Sequence, residues 1–182
     1  MTVEYIGYIQ TENLIRAWPT IQGIKESLTL ELKALEVKNT DETDDYIFTQ
    51  AIGNKVVSDI PPSGKISDTT GDIAASYLQV IDRDYYSTLE SIKKEKFSIE
   101  LVDDKLNIGF RRLSQLQQQI LKLFYLENKT WAEVLEELKA EKHFLTKDQA
   151  QKYRRRSIEK MQSISKITVE TYVSVMKLVE VE

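Results

Sequence analysis

The sequence predicts an all-α protein: a helical N-terminal segment, a linker and a C-terminal set of three short, capped helices. Three observations carry that prediction. Apolar residues recur at spacings of three and four over residues 20–38 and again from Ile73 onward, which places them on one face of a helix. Two of the three prolines and half of the six glycines fall between those runs, within residues 39–71. Farther on, Ser114, Thr130 and Thr146 are each followed three positions later by Gln or Glu, and each pair precedes an apolar-periodic run. Such capping boxes satisfy two helix-start donors reciprocally.

In chain order, TIQGIKESLTLELKALEVK aligns Ile21, Ile24, Leu28, Leu32 and Leu35 on one stripe, with Pro19 where a first helical turn tolerates it. The stretch NTDETDDYIFTQAIGNKVVSDIPPSGKISDTTG reads as a linker, with at most a short helix or turn near Tyr46 to Ile52. Its acidic cluster DETDD lacks the glycine-bearing spacing of a calcium loop and reads as solvating charge. From an N-cap at Asp72, Ile73, Tyr77, Val80, Ile81, Tyr85, Leu89 and Ile92 restore the helical period, with an end expected near KKEKF. Residues 98–112 fit either a short helix or extended chain. The three boxes then define helices over about 114–126, 131–141 and 147–164. The tail carries Ile167, Tyr172, Val173, Met176 and Val179; it either extends the last helix or folds back as another, and forms a candidate oligomer surface. The resulting division is an N-terminal helical segment (1–38), a linker (39–71), connecting helices (72–112), a helix-turn-helix (113–166) and a helical tail (167–182).

Composition narrows the function. The 182 residues are 30% charged with no cysteine and one histidine, which excludes disulfides, thiolate metal sites and histidine clusters. No apolar run spans a membrane, and MTVEYIGYIQTENLI lacks the basic start and apolar core of a signal peptide, so a reducing, cytoplasmic setting is expected. No phosphate-loop, nucleophile-elbow or zinc-protease motif occurs, so no enzyme, metal or cofactor is expected. The net charge of −4 hides a segregation. Residues 1–104 hold 10 Lys/Arg against 19 Asp/Glu, whereas residues 105–160 hold 13 against 7. A polyanion partner therefore belongs to the back of the chain.

A helix, a tight turn at ENK, a second helix and a longer basic helix follow the layout of a helix-turn-helix. On a wheel of about 100° per residue, Ala150, Tyr153, Ser157, Met161 and Ile164 face inward. Asp148, Gln151, Lys152, Arg155 and Glu159 face out, and Arg154 and Arg156 leave from the two flanks. A helix in the major groove reads base edges with its outer face and holds phosphates with its flanks. Gln151 and Arg155 are thus the base-contacting candidates, since Gln suits adenine and Arg suits guanine. Lys147, Lys152, Arg154, Arg156 and Lys160 are the backbone-contacting candidates. The competing reading is a solvated face with Arg155 paired to Glu159 at i,i+4. Trp131 reads as core and His143 as a polar loop residue.

LSQLQQQILKLFYLENKTWAEVLEEL followed by TKDQAQKYRRRSIEKM resembles the C-terminal helix-turn-helix of phage late transcriptional regulators of the ArpU- and RinA-like type, itself similar to region 4 of sigma factors. Leu116, Ile120, Leu123 and Tyr125 match the first helix, and Thr130, Trp131, Val134 and Leu138 the second. Ala150, Tyr153 and Arg154 to Arg156 fall in the reading helix. IPPSGKISDTTGDIAASY is similar to a Pro/Gly-rich segment of the same proteins, and the matching segments cover about residues 60–164. One departure is KAEKHFL, seven residues between Leu138 and Thr146 where the family has two or three. Either the middle helix runs a turn longer or the turn is an expanded loop. The resemblance implies a regulator that binds double-stranded DNA and activates phage or mobile-element genes. The acidic front half would serve homodimerisation or contact with RNA polymerase. A sigma-like polymerase subunit, a small terminase-like packaging protein and a purely structural helical adaptor are the rival readings.

Overall fold

The computed structural model describes the backbone of residues 3–56 and 69–180, and the side chains of residues 3–36 and 85–180. Its helices are α1 (Tyr8–Val56), α2 (Thr69–Arg111), α3 (Gln115–Leu121), α4 (Trp131–Ala140), α5 (Lys147–Ser165) and α6 (Val169–Glu180). A π-helical turn, Lys122–Leu126, continues α3. The sole β pairing among the described residues is an isolated antiparallel bridge between Tyr5 and Thr168. The all-α expectation therefore holds. No described helix is long and apolar enough to cross a membrane.

Several boundaries differ from the sequence reading, each for a physical reason. Helix α1 starts at Tyr8 rather than at residue 20, so Pro19 lies inside it. The start is marked by Gln10, whose Oε1 accepts from the Gly7 N–H at 2.7 Å, half of a capping box. An interior proline withholds one N–H and costs about 3 kcal/mol. Leu14, Ile15, Trp18 and Ile21 on either side are buried, and burial at about 1.5–3 kcal/mol per large side chain offsets that cost. The helix also runs on to Val56 through much of the expected linker. Pro61, Pro62 and Gly64 come only afterwards, and residues 57–68 lie outside the described residues. The DETDD side chains, and those of Ile73, Tyr77, Val80 and Ile81, also lie outside them.

Helix α2 begins three residues before Asp72 and continues without a break past KKEKF to Arg111. The lysines there do not end it: Lys96 pairs with Glu100 at 3.7 Å, one turn on. Ile99, Val102 and Leu106, spaced three and four apart, are fully buried and carry the helix through the stretch that read as ambiguous.

The described chain forms two compact units, residues 27–94 and residues 1–26 together with 95–182. In the first, Leu28, Leu32 and Ile92 are buried, and the Tyr85 hydroxyl donates to the Leu35 carbonyl at 3.4 Å. The second contains α3 to α6. It also takes in residues 1–26, the start of α1 included. There Trp18 packs edge-on against Phe110, with ring centroids 5.6 Å apart, and donates from Nε1 to Asp103 at 2.8 Å. Lys25 reaches the other oxygen of Asp103 at 2.7 Å. The chain ends join as well: Ile6 N–H donates to the Ile167 carbonyl at 3.0 Å, and Val169 N–H to the Glu4 carbonyl at 3.1 Å. Of the two alternatives for the tail, it folds back. Lys166 adopts a left-handed conformation with φ 44°, which ends α5 and lets α6 begin at Val169.

Candidate nucleic-acid interface

The three short helices form where the capping boxes place them. Ser114 and Gln117 close the box on α3, and Thr146 and Gln149 close the one on α5. At α4 the Glu133 carboxylate accepts from both the hydroxyl and the N–H of Thr130, each at 2.7 Å. Those two bonds hold its pKa below the ordinary glutamate value. Ile120, Leu123, Val134 and Leu138 are the buried centre between the helices. Leu116, Phe124, Trp131, Leu145 and Tyr153 pack against it, so Trp131 is partly buried core, stacked on Phe124 at 4.5 Å.

Two tight connections orient these helices. In ENK, Asn128 takes φ 51°, a conformation Asn tolerates better than most residues. Lys129 bridges Glu127 at 2.6 Å and also Glu137 on α4, and these two carboxylates raise its pKa. The lengthened KAEKHFL connection is resolved as a loop: α4 ends at Ala140, and residues 141–146 lead on to α5. His143 N–H donates to the Leu138 carbonyl at 2.8 Å, and Lys142 N–H to that of Lys139 at 3.0 Å. This is a Schellman motif with Lys142 at its left-handed position, φ 67°. His143 is accordingly a loop residue. Leu145 turns into the core beyond it, while Phe144 is 75% exposed.

Helix α5 then presents its charges. Ala150, Ser157 and Met161 are fully buried, as the wheel requires, with Tyr153 and Ile164 half-buried. Lys147, Asp148, Gln151, Lys152, Arg155, Arg156, Glu159 and Lys160 are exposed. Asp148, Gln151, Lys152, Arg154 and Arg155 line one open depression of about 450 Å³. Arg155 does pair with Glu159 at 3.3 Å, both largely in solvent. An exposed i,i+4 pair of this kind contributes only about 0.3–0.5 kcal/mol, so the guanidinium can exchange it for another acceptor.

Two features escape the wheel. Ile158 lies within about 20° of Gln151 around the helix, yet it is fully buried. One turn further on, Gln162 donates from Nε2 to the Ile6 carbonyl at 3.2 Å. Past Arg156 the open face of α5 narrows to Glu159, Lys160 and Ser163. An isoleucine on an otherwise polar face was the available signal. The second feature is Arg154. Its guanidinium lies over the Phe124 ring at 5.3 Å and the Trp131 ring at 5.9 Å, and 3.7 Å from the Glu12 carboxylate. The same Glu12 oxygen accepts from the Tyr125 hydroxyl at 2.6 Å. Burial and this bond both raise the Tyr125 pKa. Phe124 and Tyr125, edge-on with their rings 5.0 Å apart, both sit on the π-helical turn Lys122–Leu126. No residue pattern in KLFYL announces it.

Among the described residues, no group of three His, Cys, Asp or Glu side chains could hold a metal ion. Comparison with models of known protein families, with curated proteins and with solved structures finds no match.

Proposed function

We propose that the chain is a sequence-specific binder of double-stranded DNA that regulates transcription. In this reading α3, α4 and α5 act as a sigma region-4-like helix-turn-helix with α5 as the reading helix. One observation carries it. The first half of α5 leaves Lys147, Gln151, Lys152 and Arg155 open on one face, while Ala150, Ser157, Ile158, Met161 and Ser165 anchor the helix in the core. A helix that enters the major groove needs that asymmetry: a free N-terminal half and an anchored remainder. Gln151 and Arg155 contact base edges, and Lys147, Lys152, Arg156 and Lys160 contact phosphates. The family resemblance in the sequence favours activation of phage or mobile-element genes, with RNA polymerase or a second copy of the chain as the further partner.

The test is selection of duplexes from a random pool by the full chain, followed by fluorescence anisotropy on the enriched and a scrambled duplex over a range of salt. Enrichment of a defined site is expected. With four phosphate-contacting cations, log Kd should change with log salt at a slope of roughly 4 in magnitude. Absence of enrichment together with salt-independent binding would sink the reading. Stoichiometric capture of core RNA polymerase without DNA binding would favour the sigma-like subunit instead, and a ring-sized sedimentation mass the packaging protein.

A further inference from the structure

On the reading of α5 as the DNA-reading helix, we propose that Arg154 is a positioning residue and not a phosphate contact, with Glu12 of the acidic front segment as its counter-charge.

The central arginine of RRR and its predecessor differ sharply in surroundings. The Arg155 side chain is 76% exposed, and that of Arg154 26%. The Arg154 head group is bounded by α1 through Glu12, by the π-helical turn through Phe124 and by α4 through Trp131. Its Nε is buried and has no hydrogen-bond partner among the described residues, so water does not solvate that side of the guanidinium. Reaching a phosphate would mean leaving two aromatic faces and a carboxylate at once. Lysine cannot take the same place, because a planar guanidinium stacks on rings where an ammonium is a hydrated point charge.

What Arg154 controls follows from its place in α5. It lies three residues after Gln151, immediately before Arg155 and three residues before the buried Ser157. Anchoring that point to α1 and α4 fixes both the rotation of α5 about its axis and its angle to α4. Base contacts tolerate little error in either, whereas phosphate contacts by long lysines tolerate much more. Residues 3–26 therefore belong to the DNA-binding unit itself. Besides Glu12, they supply the Ile6 carbonyl to Gln162.

The experiment compares anisotropy titrations of the full-length wild type, Arg154→Lys, Arg154→Ala, Glu12→Gln and Arg156→Ala on the selected and scrambled duplexes, with circular dichroism as a check of folding. Arg156→Ala should lower the salt slope by about 0.9. Arg154→Lys, which keeps the charge, should leave the slope and the scrambled-duplex affinity unchanged. It should lower the ratio of specific to scrambled affinity roughly tenfold, the scale of one displaced base contact. Glu12→Gln retains an oxygen for the Tyr125 hydroxyl and should lower the ratio in the same direction. The proposal is overturned if Arg154→Ala reduces the slope as Arg156→Ala does, if Arg154→Lys preserves the ratio, or if Glu12→Gln steepens the slope by releasing Arg154 to a phosphate. If the wild type itself does not distinguish the two duplexes, the reading of α5 fails, not the assignment of Arg154.

Discussion

Asp103 is 4% exposed and is the acceptor on which the start of α1 is fastened to α2, so its removal has a calculable cost. Asp103→Ala strips the buried Trp18 N–H of its 2.8 Å partner; a hydrogen bond to a charged group contributes about 1.5–3 kcal/mol. It also releases Lys25, whose side chain is 34% exposed, and solvent holds that loss to no more than about 1 kcal/mol. Asn107 loses its 3.0 Å contact to the carboxylate but keeps its bond to the Asp103 carbonyl at 2.9 Å. The expected loss is about 3 kcal/mol, or about 6–12 °C in Tm for a chain of this size. Guanidinium unfolding followed by tryptophan fluorescence measures it, since both tryptophans lie in the unit that contains α3 to α6. Asp103→Asn keeps an oxygen for Trp18 and should cost about 1 kcal/mol.

The pH dependence has a defined sign. Burial pushes the Asp103 carboxyl up, but the Lys25 ammonium and the Trp18 N–H outweigh it and hold the group below its ordinary value. Its stabilising contribution is therefore complete above the unfolded value, near 3.9, and is lost as pH falls through the lower folded value. The gap between wild type and Asp103→Asn should narrow only under that acid condition. A cost below about 1 kcal/mol for Asp103→Ala, or a gap that does not change on acidification, would refute the reasoning.

Three further substitutions test other parts of the molecule. Arg155→Ala should weaken binding to the selected duplex by about 1–3 kcal/mol and relax one base position, with scrambled-duplex binding little changed; anisotropy against single-position duplex variants measures this. Gly109→Ala places a Cβ no closer than 3.5 Å to any atom of Met161. It should raise stability by about 0.5–1 kcal/mol through the lower entropy of the unfolded chain, read by thermal melting. Lys142→Gly relieves the side-chain penalty at φ 67°, about 1–2 kcal/mol, against about 0.5–1 kcal/mol of glycine entropy. A higher Tm with an unchanged salt slope is expected; a lower Tm would mean that the lysine stem packs against α4.

Much of the interface half was legible in the residues, because its signals are local. A capping box is written within four residues and satisfies its own donors, so Ser114, Thr130 and Thr146 fixed three helix starts without help from the rest of the chain. Periodicity likewise placed Ala150, Ser157 and Met161 inward and Gln151 and Arg155 outward. It does not account for Ile158, fully buried on the polar side of the wheel, one turn before Gln162 bonds to the Ile6 carbonyl, 156 positions away in sequence. It also failed at Pro19, where burial on both sides outweighs a strong local breaker. Lysines near KKEKF suggested a helix end because dipole preferences amount to only tenths of a kcal/mol, too little to stop a helix whose next turns bury Ile99 and Val102.

The sequence by itself thus determined the class of the fold, the capped helices and the open charges of α5, all of which depend on neighbours within a turn or two. The tertiary structure alone decided that the start of the chain joins the basic end. It also decided that the three arginines divide by burial as well as by direction. Those outcomes rest on contacts among Glu12, Tyr125 and Arg154, residues separated by more than a hundred positions between the first and the others. A linear pattern carries no distance information over that range. What links them is the Glu12 carboxylate, which meets Tyr125 and Arg154 only once the chain has closed on itself.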